Sequence, residues 1–368
     1  MFQRDAAHTG YVPVTLDPAK FVKAWEWITP NHARFGGLVS ANGAVYVSAG
    51  RKVFRLNEST GAVVWEHATP NPGGDWTGPP GYHDGVVYFP IQPPSRVSVI
   101  RGLDAETGTP KTESVFNSQA GPYIGPTFYD GGMYYSAGFY GNFAYRYNLP
   151  SGALAWSSRL GPDALAYMYM QTPAVDENHI YHMTENGIYI ARRSDGAALG
   201  AVPAQTGGSG ALTGPSAPVI TESGLVLKVD FTDSARLVAI DPVSRTIAWR
   251  GSFTGGGMQP VTAGDKVYHW VGSGGWMISA MDAKTGAALW SWRLPATDSQ
   301  PIENMVVTDN MLFASSNRAV YAIDLNTHQT VWRIPTHGKL SISSNRILHI
   351  LQSDFGVEDS TVTAVRLD

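Results

Sequence analysis

The sequence predicts an all-β fold, an eight-bladed β-propeller of four-stranded antiparallel blades, and two recurring segments carry this prediction. The first is a turn phrase, most copies of which end in tryptophan, and it returns every 41 to 49 residues. This spacing lies in the range of four-stranded propeller blades. The second is an apolar strand that follows a tight turn, and it occurs eight times. The repeats leave no sign of a second domain.

The turn phrase consists of a small or apolar residue, Asp or Asn, two further residues, Thr-Gly, three residues and Trp. Its tryptophan-bearing copies end at Trp65, Trp156, Trp249, Trp290 and Trp332. The copies around Gly108 and Gly196 have lost the tryptophan, and Arg245 and His328 replace the glycine in two others. Glycine accepts the positive φ that such a tight turn requires, so these two turns must accommodate a side chain. We expect the tryptophans to be largely buried at equivalent positions between blades.

The apolar strand of the second segment is centred, in order, on Val45, Val87, Tyr134, Ile180, Val226, Val267, Leu312 and Leu348. The chain ends explain why there is one strand more than there are turn phrases. The C-terminal TVTAVRLD matches only the first half of the phrase, and the N-terminal KAWEW around Trp25 supplies an outer strand. The last blade should therefore pair the strand at Trp25 with Val362–Leu367. Such closure removes the sheet edges that an open array would expose.

Composition excludes several classes of function. The net charge is -4 and no basic block stands out, so we expect no nucleic-acid partner. The chain has no cysteine, which excludes disulfides, thiolate metal sites and cysteine nucleophiles. We expect no transmembrane segment, because no apolar run is long enough to span a bilayer, and we expect a monomer. The polar opening MFQRDAAHTGYVP starts no signal peptide, and we expect that the numbering begins after a removed leader.

The repeats resemble the tryptophan-docking, pyrroloquinoline-quinone-like repeats of quinoprotein dehydrogenases and of BamB-like periplasmic propeller proteins. The resemblance covers residues 21–368, and residues 1–20 are predicted to form a lead-in segment. FQRDAAHTGYVP also looks like the start of many secreted bacterial propeller proteins, which implies a periplasmic or secreted location. The dehydrogenases hold their quinone under a bridge of adjacent cysteines and above a tryptophan, with Ca²⁺ bound by Glu, Asn and Asp. Since this chain has no cysteine, we expect no quinone, no other cofactor and no dehydrogenase activity.

Propellers usually bind ligands where loops converge at the channel mouth. The Thr-Gly turns lie on one face of the ring, which we name the turn face. The loops between blades, and those between the two middle strands of a blade, share the opposite loop face. The residues that we predict to bind ligand there are Trp76, Tyr123, Tyr169, Gln171, Trp276, Glu303, His337 and Phe355. Trp76 and Trp276 lie outside the turn phrase and should not join the ring of buried tryptophans.

Other segments favour structural interpretations. His179 and His182 are three residues apart, but on a strand this spacing points the side chains to opposite faces, so no metal pair is expected. The glycine-rich segment 205–214 has no strand, helix and lysine arrangement for a phosphate cradle and is predicted to be a loop. Asp354, Glu358 and Asp359 match no calcium loop, so we predict no metal site.

These observations favour a non-catalytic binding or scaffold module for protein or polymer ligands. The alternative is an enzyme acting on extracellular polysaccharide, a lyase or hydrolase with its site at the channel mouth. A lyase would need a proton-abstracting Tyr or His beside a cation, and Tyr123, Tyr169, His337, Arg34 and Lys339 offer such groups without indicating a choice. The third interpretation is a degenerate quinoprotein. The sequence names neither catalytic residues nor the ligand.

Overall fold

The computed structural model describes residues 3–30, 33, 35–69, 76–92, 97–117, 124–137, 143–159, 171–184, 187–202, 216–230, 234–272, 274–352 and 360–368. Five side chains within these ranges lie outside the description: Trp76, Gln92, Val97, Thr184 and Glu303. The described residues form eight sheets, in each of which the blade strands pair antiparallel. The predicted eight-bladed, all-β propeller is confirmed.

The lead-in segment contains strand β1 (Tyr11–Val12) and a turn of 3-10 helix (Pro18–Lys20), and strand β2 (Val22–Ile28) follows it. Blade 1 is β3 (Phe35–Ala41), β4 (Ala44–Ala49), β5 (Lys52–Asn57) and β6 (Val63–Ala68). Blade 2 is β7 (Trp76–Thr77), β8 (Gly81–His83), β9 (Val86–Gln92), β10 (Val97–Asp104) and β11 (Pro110–Asn117). Blade 3 is β12 (Thr127–Tyr129), β13 (Gly132–Ala137), β14 (Phe143–Asn148) and β15 (Ala153–Arg159). Blade 4 is β16 (Ala174–Val175), β17 (His179–Thr184), β18 (Gly187–Arg192) and β19 (Ala198–Val202).

Blade 5 is β20 (Val219–Ile220), β21 (Val226–Asp230), β22 (Arg236–Asp241) and β23 (Thr246–Arg250). Blade 6 is β24 (Val261–Ala263), β25 (Lys266–Val271), β26 (Met277–Asp282) and β27 (Ala288–Arg293). Blade 7 is β28 (Pro301–Thr308), β29 (Met311–Ser316), β30 (Val320–Asp324) and β31 (Thr330–Ile334). Blade 8 is β32 (Lys339–Ile342), β33 (Ile347–Gln352) and β34 (Thr361–Arg366), with β2 as its outer strand.

Both ends of the chain build blade 8, as predicted. Strand β2 pairs antiparallel with β34, and in this register Trp25 lies opposite Ala364 and Trp27 opposite Val362. The Trp25 side chain is only 8 % exposed and packs in a cluster with Leu56 of blade 1. The ring is therefore closed by hydrogen bonds between the two termini, and the sheet edges that an open array would expose are paired.

The turn phrase forms the same turn in blade after blade. In blade 1, Asn57 Oδ1 accepts hydrogen bonds from the backbone N–H groups of Ser59 and Thr60, and Gly61 follows with a φ of +73°. Arg245 and His328 keep this conformation at φ values of +57° and +59°. The backbone geometry of the repeat is therefore retained where the glycine is lost, at the cost of strain on a non-glycine residue.

Four of the five turn glycines, all except Gly152, lie against the tryptophan of the preceding blade. A methyl group on Gly61 would lie 2.7 Å from Trp25 Cδ2, and one on Gly286 would lie 2.5 Å from Trp249 Cε3. The Trp249 indole also donates to the Ala283 carbonyl oxygen at 3.0 Å. Trp249 is buried, at 7 % exposure, as predicted. The other four phrase tryptophans are half-buried and hence more exposed than we expected.

Where the phrase departs from its pattern, a neighbouring blade fills the space. The His328 ring stacks on Trp290, with the ring centroids 4.3 Å apart and an angle of 16° between the rings. Gly200 stands in the tryptophan position of blade 4, and Arg245 of blade 5 reaches this place and donates to the Leu199 carbonyl oxygen. Substitution of the turn glycine therefore goes together with a local repacking of the junction.

A change of register precedes the tryptophan position in the outer strand of every blade. The shifts fall at Lys23/Trp25, Arg55/Leu56, Gly102/Leu103, Arg146/Tyr147, Ile190/Ala191, Ala239/Ile240, Ala280/Met281 and Ala322/Ile323. Such a bulge bends the outer strand and re-aims the side chains that follow it. We attribute the orientation of the tryptophan toward the next blade to this repeated irregularity.

The lead-in segment pairs with the inner strands of successive blades. Strand β1 adds to β28 of blade 7 in a parallel pairing, with Tyr11 opposite Val307. Further backbone bonds join Ala6 to Val175, Ala7 to Ile220, Thr9 to Thr262 and Gly10 to Val307. His8 is fully buried and bonds the Pro218 carbonyl oxygen at 2.9 Å and Thr127 Oγ1 at 3.3 Å. The segment thus bridges blades 3 to 7 along the channel.

Candidate functional site

The lead-in segment lies at one end of the channel, and the described candidates Gln171, Trp276 and His337 lie at the other. Within an antiparallel blade, the hairpin after the inner strand and the Thr-Gly turn share one face. Carbonyl oxygens of the lead-in segment accept hydrogen bonds from the backbone N–H groups of Ile220 and Val307. These are the last and the second-last residues of their inner strands. It therefore runs along the turn-face ends of these inner strands. Gln171 and His337 precede inner strands and Trp276 follows a second strand, which places these three residues at the loop face.

Several predicted site residues lie outside the described residues: Tyr123, Tyr169 and Phe355. The backbone of Trp76 begins β7 and pairs with Gln92, and Glu303 lies within β28 at the register shift between Ile302 and Met305. Their assignment as ligand-binding residues stays a prediction.

Three candidates have described side chains, and they come from blades that are not neighbours. Gln171 precedes the inner strand of blade 4, Trp276 precedes the third strand of blade 6, and His337 precedes the inner strand of blade 8. All three are half-buried, and Trp276 packs against the apolar cluster between blades 6 and 7. One ligand touching all three would have to extend across the channel mouth, which suits a polymer or a protein surface better than a small molecule. As predicted, Trp276 lies outside the ring of phrase tryptophans.

Two loop-face amides hold neighbouring blades together. Gln259 Oε1 accepts the Ala217 N–H at 2.7 Å, and its Nε2 donates to the Ala217 carbonyl oxygen at 3.3 Å. Asn304 bonds both backbone groups of Leu340 in the same way, at 2.9 and 2.8 Å. Each side chain bonds the backbone N–H and C=O of a residue in the adjacent blade: Leu340 lies within β32, and Ala217 lies two residues before β20. Because their polar atoms are engaged, these two residues stabilise the scaffold that carries the loops.

Among the described residues four histidines are buried, three of them in blades and His8 in the lead-in segment. Burial lowers the pKa of His8 and His269 to about 4, and that of His182 and His349 to about 3. They are therefore neutral near pH 7. His182 contacts Ser136 Oγ of blade 3 at 2.5 Å, whereas His179 is half-buried next to Tyr181. The two residues occupy one strand, as the argument against a metal pair assumed.

A groove runs along the outer rim between blades 2 and 3, where Thr112 stands in the tryptophan position. Its volume is about 450 Å³, and its lining residues are Glu113, Ser114, Val115, Phe116, Asn117, Phe143, Tyr145, Tyr147, Gly152, Ala153, Leu154 and Ser157. Tyr147 Oη donates to the Val115 carbonyl oxygen at 2.7 Å, and Ser114 Oγ donates to that of Gly152 at 2.7 Å. These bonds replace the indole contact of the other junctions. No motif in the sequence indicated this groove, although the loss of the tryptophan at Thr112 marks its place.

Comparison with known proteins identifies the class first: the chain is a propeller built from BamB-type repeats. The family model described as "Outer membrane protein assembly factor BamB" matches residues 49–227 and 193–365. The chain belongs to this family. No curated protein matches it in sequence.

Solved structures share the fold at low sequence identity. BamB from Moraxella catarrhalis is 16 % identical with a TM-score of 0.69, and the match covers 94 % of this chain and 99 % of BamB. The quinohemoprotein alcohol dehydrogenase from Comamonas testosteroni is 14 % identical with a TM-score of 0.75, covering 99 % of this chain and 79 % of the enzyme. The quinohemoprotein alcohol dehydrogenase ADHIIG from Pseudomonas putida HK5 is 12 % identical with a TM-score of 0.71, covering 98 % and 79 %.

The residues of this chain do not fit the quinone site that the dehydrogenase resemblance implies. That site needs adjacent cysteines, and the sequence contains none. Within the described part of the chain, no group of three or more His, Asp or Glu side chains is placed to hold a metal ion. We therefore derive no chemistry through a quinone. No helix among the described residues has the length and hydropathy needed to cross a membrane.

Proposed function

We propose that the protein is an exported, non-catalytic propeller that binds a protein partner or a polymer at its loop face. The observation that carries the proposal is membership of the BamB family along residues 49–365. The name of that family describes an assembly factor, a role that requires a binding surface and no reacting groups.

The geometry of the ring supports the choice of the loop face. The lead-in segment occupies the turn-face ends of four inner strands, and the phrase residues are used in contacts between blades. At the loop face, Gln171, Trp276 and His337 are distributed over blades 4, 6 and 8. An extended partner can contact such a distributed set, whereas a catalytic site requires groups within hydrogen-bond reach of one atom. We expect affinity to come from a broad surface with a few aromatic anchors.

Site-specific photocrosslinking in the native host tests the proposal. A benzophenone amino acid is placed at His337 or Arg318 on the loop face, and at Thr285 or Asn326 on the turn face as matched exposed controls. We expect one defined protein or polysaccharide adduct from the loop-face positions and none from the turn-face positions. Equal adducts from both faces, or no adduct from the loop face, would contradict the proposal. Export is tested separately: host cells are fractionated, and we expect the chain in the periplasmic or the extracellular fraction.

A further inference from the structure

One face of blade 5 carries four charged residues at its loop-face end. Lys228 and Asp230 are two residues apart in β21 and therefore point to the same face. Asp230 lies opposite Arg236 in β22, and Lys228 is in register with Arg250 of β23 through Val238. Paired residues on neighbouring strands share a face. The four side chains consequently belong to one surface of the blade.

This surface is directed toward blade 4. Val226 lies on it two residues before Lys228, and it packs in one apolar cluster with Ala174 and Met183 of blade 4. Trp249 lies on the opposite face, against Gly286 of blade 6. The four charges thus occupy the seam between blades 4 and 5, away from the channel and from the ring of tryptophans.

Lys228 is the unusual member of the group. Its side chain is 2 % exposed, and Nζ has no hydrogen-bond partner. Asp230, at 1 % exposure, binds Arg250 Nη1 at 3.1 Å, and Arg236 Nη1 donates to the Gly251 carbonyl oxygen at 2.7 Å. Burying an ammonium group without a partner costs several kcal/mol. Something in the assembled protein must offset that cost.

Loss of the proton does not fully remove the charge at neutral pH. Burial lowers the pKa of Lys228 to about 8, while the nearby Asp230 opposes this shift. Most of the ammonium therefore stays protonated at pH 7. His182 and His269 occupy the equivalent strand positions in blades 4 and 6, and burial keeps both neutral. Lys228 is thus a buried, mostly protonated ammonium without a hydrogen-bond acceptor.

We propose that the seam between blades 4 and 5 binds a small oxyanion, a carboxylate or a phosphate, whose oxygen accepts a hydrogen bond from Lys228 Nζ. Arg250 lies at the entrance, because its side chain is 37 % exposed while it contacts the buried Asp230. A guanidinium and an ammonium converging on one oxyanion form strong charge-assisted bonds. The site is small and lies off the channel, so it is independent of the partner surface proposed above.

Calorimetric titration of the full chain tests the site, with inorganic phosphate and acetate as separate probes at pH 7 and constant ionic strength. We expect saturable binding of at least one probe. Lys228→Met keeps the length of the side chain and removes the buried charge, so it should fold and weaken binding by about tenfold or more. Lys266→Met changes an exposed lysine in the second strand of blade 6 and should leave binding unchanged.

Arg250→Gln provides a second variant in case Lys228→Met does not fold. We expect it to weaken binding severalfold, whereas Arg293→Gln, at the matching end of the outer strand of blade 6, should have no effect. Binding of phosphate alone or acetate alone, lost in these variants, would support the proposal and identify the oxyanion. Absence of saturable binding by the wild-type chain would overturn it. So would unchanged binding in whichever of the two seam variants folds.

Discussion

The turn glycines have a second role, which depends on the blade before them. Their positive φ followed from the repeat phrase, because Asp or Asn before Thr-Gly forms a tight turn. Their contact with the preceding tryptophan did not, since the two residues are about one repeat apart in sequence. For the same reason, the sequence did not predict that Arg245 fills the space left by Gly200 in the neighbouring blade. Packing between repeats is a property of their arrangement and is not encoded in one phrase.

Two glycine substitutions separate the contact from the backbone conformation. Gly286→Ala introduces a methyl group 2.5 Å from Trp249 Cε3 at a φ of +71°, whereas Gly85→Ala keeps a φ of +74° with no neighbouring atom within 4 Å. Both should lose about 1 kcal/mol to strain, and Gly286→Ala a further 1–3 kcal/mol to overpacking. Urea denaturation measures the difference. Equal losses would show that the indole does not limit this position.

The buried histidines predict a loss of stability in weak acid. The pKa of His349 is lowered from 6.5 to about 3 by burial, so the unfolded chain binds a proton that the folded chain does not. The stability contribution is complete above pH 6.5 and falls as the pH decreases toward 3. Between pH 7 and pH 5 this one residue should cost about 2 kcal/mol. Denaturation with urea at pH 7, 6 and 5 measures the slope.

His349→Leu isolates this contribution from that of the other titrating groups. The variant should lose about 2 kcal/mol less than the wild-type chain between pH 7 and pH 5. His179→Leu serves as the control. His179 is half-buried next to Tyr181, whereas His349 is fully buried, so the two variants differ in the burial of the histidine that is removed. If His349→Leu and the wild-type chain show the same slope, His349 is not neutral in the folded protein.

At the scale of the elements, alternation and turn signals predicted the blades and the closure of blade 8. Second strands such as β4 and β13 are buried along their whole length, which fits a strand lying between two others and between two neighbouring blades. The bulge in each outer strand could not be predicted, because one extra residue leaves the apolar pattern of so short a strand ambiguous. The bulge nevertheless determines the direction in which Trp25 and its equivalents point.

Removal of residues 361–368 tests the closure. The truncation deletes β34, which pairs with both β2 and β33, and leaves the Trp25 strand without its neighbour. We expect a sharp drop in melting temperature and a tendency to aggregate, because two strand edges become exposed. Light scattering and thermal denaturation report these effects. A melting temperature equal to that of the full chain would mean that the ring is held together without this seam.

For the whole molecule, the repeat predicted the architecture far better than the site. Blade residues recur, so eight copies average out local exceptions. Site residues such as Gln171 and His337 belong to loops that differ from blade to blade and carry no shared pattern. The charged seam at Lys228 left only a weak signal, one lysine within the apolar run VLKV, which becomes informative once its burial is known.

The lead-in segment links most of the ring and provides the last prediction. Its carbonyl oxygens accept backbone N–H groups from four inner strands, at Val175, Ile220, Thr262 and Val307. Deleting residues 1–16 should therefore lower the stability of the ring by several kcal/mol, at about 1 kcal/mol for each lost hydrogen bond and more for the apolar contacts of Leu16.

Amide hydrogen exchange gives a local readout: these four amides should lose protection first. The amides of Val226–Asp230, which lie in a strand paired on both sides within blade 5, provide the internal reference. If all of them exchange alike in the truncated chain, the segment contributes to global stability alone. If the four amides keep their protection, the segment does not hold the inner strands in place.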